Sequence, residues 1–151
     1  MKRKETEMAA TYEKDVVAWA NEQARMIRAG RFDLLDIENI AEEIEDVGKS
    51  EKRELANRMA VLLAHLLKWQ IQPERRGASW ESTINEQRER ITKRIERTPS
   101  LKSCLDDNEW WSDAWIDGKQ NAQKETGLEI KMSKECPWTK DEILNEGWKP
   151  E

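Results

Sequence analysis

Seven side chains near the middle of the chain have the types needed to hold an anion or move a proton. His65, the one histidine, is followed by Lys68, Gln72, Arg75 and Arg76, and Gln87 and Arg88 come a helix later. An imidazole exchanges protons near neutral pH. Neighbouring guanidinium groups grip a phosphate or carboxylate through paired N–H donors. The set therefore reads as His65 for acid–base catalysis and Lys68, Arg75, Arg76 and Arg88 for anion binding. Gln72 and Gln87 join it as a polar cluster. Gln87 falls where its segment calls for an apolar side chain, and an unmet buried amide costs ~1–3 kcal/mol. It is expected to meet the His65 strip, by itself or through Arg88, together with a carboxylate such as Glu45. The competing reading is structural: His65 donates to a carboxylate or carbonyl between helices, and the arginines pair with acids.

A second set is acidic. Glu38, Glu42, Glu43, Glu45 and Asp46 crowd one short segment, and hard divalent cations take clustered carboxylates. At 100° per residue Glu42 points roughly 160° away from the apolar stripe, into solvent. Glu38 and Glu45, two helical turns apart at the stripe's edge, are the candidate metal ligands, to be completed from another helix. Otherwise the segment is a solvated acidic face. The chain has no glycine-rich phosphate loop, no metal-spaced Cys/His set, and no Ser or Cys with an evident His partner.

These residues need helices to position them. Residues 1–10 carry no start signal and are expected to fray. Thr11 is the expected cap of a helix to about Ala29, closed by Gly30. Asp36 caps a second helix over 37–47, with Ile37, Ile40, Ala41, Ile44 and Val47 as its stripe and Gly48 as its end. Ser50 opens a third helix that runs to Ile71, where Pro73 stops it. Its apolar arc is unusually wide: Leu55, Met59, Leu62, Leu66 and Trp69, flanked by Leu63 and Leu67, then Ala56, Ala60 and Ala64. Such a helix is buried over most of its circumference, and its alanines admit a close neighbour. His65, Lys68 and Gln72 lie in the narrow polar strip that remains.

Ser79 is the expected cap of a fourth helix over 80–97, with Trp80, Ile84, Ile91 and Ile95 inward. Thr98–Pro99 starts a fifth that continues to Glu125 and ends at Gly127, with Trp111 and Trp115 on its stripe and Trp110 off it. Thr139 with Glu142 three residues on is a capping box for a short last helix over 140–146. The expected fold is all-α: residues 11–151 form a single-domain helical bundle of about five main helices plus a short C-terminal one. The second and third helices form an antiparallel or sharply angled pair, and the third and fourth a hairpin.

Composition agrees. Charged residues make up 38% of the 151, Gly and Pro together number 10, and eight tryptophans argue for a packed core rather than a disordered chain. The net charge of −5 argues against a general affinity for nucleic acid or anionic membrane, without excluding nucleic acid as a partner. Its distribution is uneven. Residues 30–51 hold eight acids and two bases, 65–102 nine bases and five acids, and 103–151 twelve acids and six bases. The acidic surroundings argue against base-stacking by Trp110, Trp138 and Trp148, which if exposed would mark a protein interface. No signal-peptide core and no stretch of 18 apolar residues is present, and Cys104 and Cys136 form no CxxC. A cytoplasmic protein with reduced thiols and no membrane association is expected.

Several stretches carry a family resemblance: residues 12–36 (YEKDVVAWANEQARMIRAGRFDLLD), 38–55 (ENIAEEIEDVGKSEKREL), 62–76 (LLAHLLKWQIQPERR), 79–91 (SWESTINEQRERI), 98–102 (TPSLK) and 135–144 (ECPWTKDEIL). In this order and spacing the chain resembles the bacterial family known as domain of unknown function 29, common in cyanobacteria. The resemblance runs from residue 12 to 150 and is weakest over 103–134. It implies a bacterial helical protein and no activity, cofactor or catalytic residue.

Two function classes follow. The favoured one is a non-enzymatic cytoplasmic interaction or regulatory module, taking a protein partner or self-associating as a homo-oligomer. The alternative is a metal-dependent hydrolase or nuclease acting on a phosphate-containing substrate. There a divalent metal would sit on Glu38 and Glu45, His65 would act as acid or base, and the arginines would hold phosphate.

Overall fold

A computed structural model describes residues 12–151. The expected frayed tail at 1–10 and the Thr11 cap lie outside the described residues. Every regular element among the described residues is helical, so the chain is all-α, with a short C-terminal helix. It falls into two compact units, one ending at Ser50 and one comprising Glu51–Glu151.

In the first unit, α1 spans Val16–Arg28. The helix expected to run unbroken from Thr11 is interrupted. Residues 12–14 are helical, Asp15 leaves the helical region at φ −149° and ψ 86°, and its carboxylate then accepts from Ala18 N to start α1 afresh. A short polar side chain that can cap from within competes with helix continuation. Gly30 supplies the left-handed residue (φ 73°) that closes α1, as expected. A 3-10 turn, Phe32–Leu34, leads to α2 at Ile37. Trp19 and Gln23 are the buried residues of α1. The Trp19 indole donates to Asp36 at 3.0 Å, and Gln23 Oε1 accepts from Asp36 N at 2.9 Å. The Tyr12 hydroxyl donates to Glu43 at 3.0 Å, which pushes its pKa up to about 12. Later residues of α1 meet earlier residues of α2, so residues 12–50 form an antiparallel hairpin.

α2 corrects the expected break at Gly48. It is one helix of 35 residues, Ile37–Ile71, about 52 Å long at 1.5 Å per residue. The expected angled pair on either side of Gly48–Lys49 does not exist. Glycine inside a helix costs only ~1 kcal/mol relative to alanine. Gly48 does not adopt the left-handed conformation that ends α1 at Gly30. With no proline nearby, the helix runs on.

In the second unit, α2 from Glu51 onward is the core element, as its periodicity predicts. Leu55, Met59, Leu62, Leu63, Leu66 and Leu67 are each 0% exposed. After a 3-10 turn at Pro73–Arg75, α3 spans Ala78–Arg97; its cap is Gly77 rather than Ser79. α3 returns along α2, and Arg94 reaches Glu51 at 2.8 Å. Thr98 and Pro99 open a 3-10 segment, Pro99–Asp106, rather than an α-helix. Asp107 then caps α4, Asn108–Thr126, by accepting from the backbone N–H groups of Glu109 and Trp110. This restart corrects the tryptophan assignment. A phase counted at 3.6 residues per turn from Leu101 is lost across a 3-10 segment. The buried stripe of α4 is Trp110, Ala114, Trp115, Gly118 and Ala122, while Trp111 is half-buried. Gly127, φ 70°, ends α4, and the Thr139–Glu142 capping box starts α5, Lys140–Leu144, both as expected.

Candidate functional site

Three side chains of the polar strip on α2 and the turn after it, His65, Lys68 and Arg76, are held by the chain itself. His65 is half-buried, with Nδ1 2.9 Å from the Val61 carbonyl oxygen. Burial lowers its pKa below the ordinary value; the Val61 carbonyl works in the opposite direction, and the nearby Lys68 charge lowers it further. Lys68 is buried, ion-paired to Glu125 of α4 and placed 5.2 Å from the centre of the Trp80 ring. Arg76 donates from Nε to the Trp69 carbonyl at 2.6 Å and lies 5.3 Å from the Trp69 ring centre. Lys149, from the end of the chain, lies 4.9 Å from the same ring and pairs with Glu81. Gln72 is buried and Arg75 exposed.

Arg88 is 5% exposed and turned inward. Its Nε donates to the Ile143 carbonyl at 2.8 Å and its Nη2 to the Trp148 carbonyl at 2.6 Å. Two of its three nitrogens thus clasp the C-terminal segment. Nη1 is buried without a partner, as is Gln87 Oε1. Burial lowers the Arg88 pKa, and Glu146 acts in the opposite direction. Among the described residues neither Gln87 nor Arg88 is hydrogen-bonded to His65. Glu38 and Glu45 belong to the first unit and are exposed. Among the described residues no three His, Cys, Asp or Glu side chains gather closely enough to hold a metal ion.

Among the concavities of the second unit are a charged groove and a partly aromatic cleft. A groove of about 620 Å³ between α2 and α3 is lined by charged side chains. Three of its five cations pair with its own acids: Arg90 with Glu86 at 2.9 Å, Lys93 with Glu89 at 3.0 Å and Arg94 with Glu51 at 2.8 Å. A cleft of about 750 Å³ is lined by Leu105, Trp111, Cys136, Trp138, Lys140 and Ile143 among others. Sequence reasoning missed it, because its walls come from the 3-10 segment, α4 and a tail about thirty residues further on. Trp138 stacks edge-on against Trp115 and Trp148, so the tail tryptophans fold back onto the core.

The first unit carries the other unforeseen surface. Ile37, Ile44 and Val47, expected inside the bundle, are 65–67% exposed. Val16, Val17, Ile27 and Phe32 of the same hairpin are also exposed. Single apolar residues are scattered over most protein surfaces, whereas these seven fall within one hairpin.

The fold and these sites define a small all-α protein whose candidate catalytic groups are tied into its own structure and whose apolar side chains are partly left outside. Among the described residues no helix is long and apolar enough to cross a membrane. The family model described as domain of unknown function DUF29 matches residues 11–149, and the chain belongs to that family. No curated protein and no solved structure matches it.

Proposed function

We propose that this protein is a non-enzymatic interaction module whose docking element is the hairpin of residues 12–50. The observation that carries the reading is the row Ile37, Ile44 and Val47 standing in solvent on a helix that is otherwise well formed. Water is a poor solvent for such a row, and covering it is favourable by about 25 cal/mol per Å². The contacts of Lys68, Arg76 and Arg88 support the same reading, because they spend charge on the chain's own carbonyls, acids and rings rather than on an open site. The reading includes a bacterial cytoplasm, a setting that suits two unpaired thiols.

Site-specific photocrosslinking in cells tests it. A photoreactive residue at position 44 should give discrete protein adducts. The same residue at Glu42 or Asp46, on the polar side of α2, should give few. Equal labelling at all three positions, or none at any, would overturn the reading.

A further inference from the structure

We infer that the cleft walled by Trp111 and Trp138 binds a small organic monocation with an alkylated ammonium head. The site lies wholly in the second unit and stands whether or not the hairpin is the docking element.

The cleft has walls suited to such a head, and they are fixed before anything binds. Its volume of about 750 Å³ falls within the roughly 300–1,000 Å³ of small-molecule sites. Trp111 and Trp138 line it and are half-buried, so each ring keeps part of its surface open. The Trp111 indole N–H donates to the Leu105 carbonyl at 2.7 Å, which sets the tilt of the ring. Trp138 is wedged edge-on between Trp115 and Trp148, with ring centres 5.7 and 5.8 Å away. Rings already held in place spare a ligand the cost of ordering them.

The face of an indole attracts a cation more strongly than any other side-chain ring. The protein uses this property on itself. Lys68 stands over Trp80, Arg76 and Lys149 over Trp69, and Lys119 over Trp115. Among the described residues no lysine or arginine stands over Trp111 or Trp138.

Charge selects the sign of the ligand. The cleft is lined by three acids and two lysines. Asp106 and Lys140 neutralise each other at 2.7 Å. Glu109, Glu135 and Lys134 remain, all exposed, and leave a net of −1. Among the described residues neither glutamate is ion-paired. Residues 103–151, which supply every wall of the cleft, hold twelve acids against six bases. A field of that sign concentrates cations near the opening.

The rest of the lining favours an alkylated head over a hydrogen-bonding one. Leu105, Cys136 and the buried Ile143 add apolar wall, and the uncharged polar side chains, Asn108 and Ser112, are exposed. The Leu105 carbonyl already accepts from Trp111 and the Glu135 carbonyl from the Ser133 hydroxyl. A primary ammonium or a guanidinium would give up water for few acceptors, at a cost. An alkylated ammonium has no N–H to satisfy, and its methyl groups suit both the rings and the apolar wall.

Titration of the purified, isotope-labelled full-length chain with choline, from about 0.1 to about 30 mM at constant ionic strength, is the test. The indole N–H signals of Trp111 and Trp138, assigned by single Trp→Phe substitutions, should move together with a Kd of about 1 mM. The signal of Trp19, in the first unit, should stay. The uncharged carbon isostere of choline, 3,3-dimethylbutan-1-ol, should bind at least about tenfold more weakly. Trp111→Leu should abolish choline binding with an unchanged helical circular dichroism spectrum. Should that variant unfold, Glu109→Gln with Glu135→Gln, at two exposed positions, serves instead. It should weaken choline about threefold to tenfold and leave the isostere unchanged. Signals that stay still across the range, or equal affinity for choline and its isostere, would sink the inference. Tighter binding of N-acetylarginine methylamide than of choline would overturn the alkylated head. A trimethyllysine peptide more than about tenfold tighter than choline would put the cation on a protein partner and overturn the free small molecule.

Discussion

Gly118 of α4 lies directly against Ala60 of α2. A Cβ built on Gly118 would stand 3.2 Å from the Ala60 carbonyl oxygen, 3.0 Å from Leu63 Cβ and 3.5 Å from Ala64 N. None of these atoms is the free end of a flexible side chain. In an open helix, replacing glycine by alanine gains ~1 kcal/mol. Here the added methyl must push α4 away from the core helix. Gly118→Ala should therefore destabilise the protein, by about 1–3 kcal/mol as for an overpacked core, and Gly118→Val by more. Denaturant titration followed by circular dichroism measures both. An alanine variant more stable than the wild type would show that α4 can shift without loss.

Arg88 joins α3 to the C-terminal segment, and its loss should be felt there. Removing the guanidinium leaves the Ile143 and Trp148 carbonyls without the donors they have now. An orphaned buried polar group costs ~1–3 kcal/mol. Arg88→Met should lower stability by an amount in that range or somewhat above it. It should also raise amide hydrogen exchange over residues 139–148 before the rest of the second unit. Arg88→Lys should restore little, because one ammonium does not reproduce the fork that reaches both carbonyls. Exchange that rises uniformly across the unit would argue against a local clasp.

What was legible in the chain follows from how far each cause reaches. The burial of Leu55 through Leu67 is written in a period of 3.6 within one segment. The Gly127 stop and the Thr139–Glu142 box are written within four residues. The close approach at Ala60 and Ala64 was also visible, as a row of small side chains, although Gly118 on the other side was not. Gly48 misled because glycine is a weak punctuator unless its φ turns positive, and φ is not in the sequence. Trp110 and Trp111 exchanged roles because the Asp107 restart reset the helical phase.

The candidate site was less legible, because its partners are distant. Arg88 meets carbonyls 55 and 60 positions away, and backbone carbonyls leave no mark on a sequence. Lys68 finds Glu125 across 57 positions. The exposure of Ile37 and Ile44 was hidden for a different reason. Apolar periodicity states that a face wants cover; it does not state whether the cover comes from the same chain.

His65 gives the protein a pH dependence whose sign can be worked out. Burial and the Lys68 charge hold its folded pKa below its ordinary value of 6.5. The unfolded chain therefore binds more protons than the folded one between the lowered value and 6.5, and stability rises with pH across that window. The contribution is fully present above about pH 6.5 and is lost as pH falls through the folded pKa. His65→Gln, which cannot titrate, should flatten the stability profile in that window and leave the plateau above it level. Urea midpoints measured from pH 5 to pH 8 for both proteins check this. A wild-type profile that climbs as pH falls from 6.5 would mean that Glu125 and the Val61 carbonyl outweigh burial, and that His65 is held as the cation.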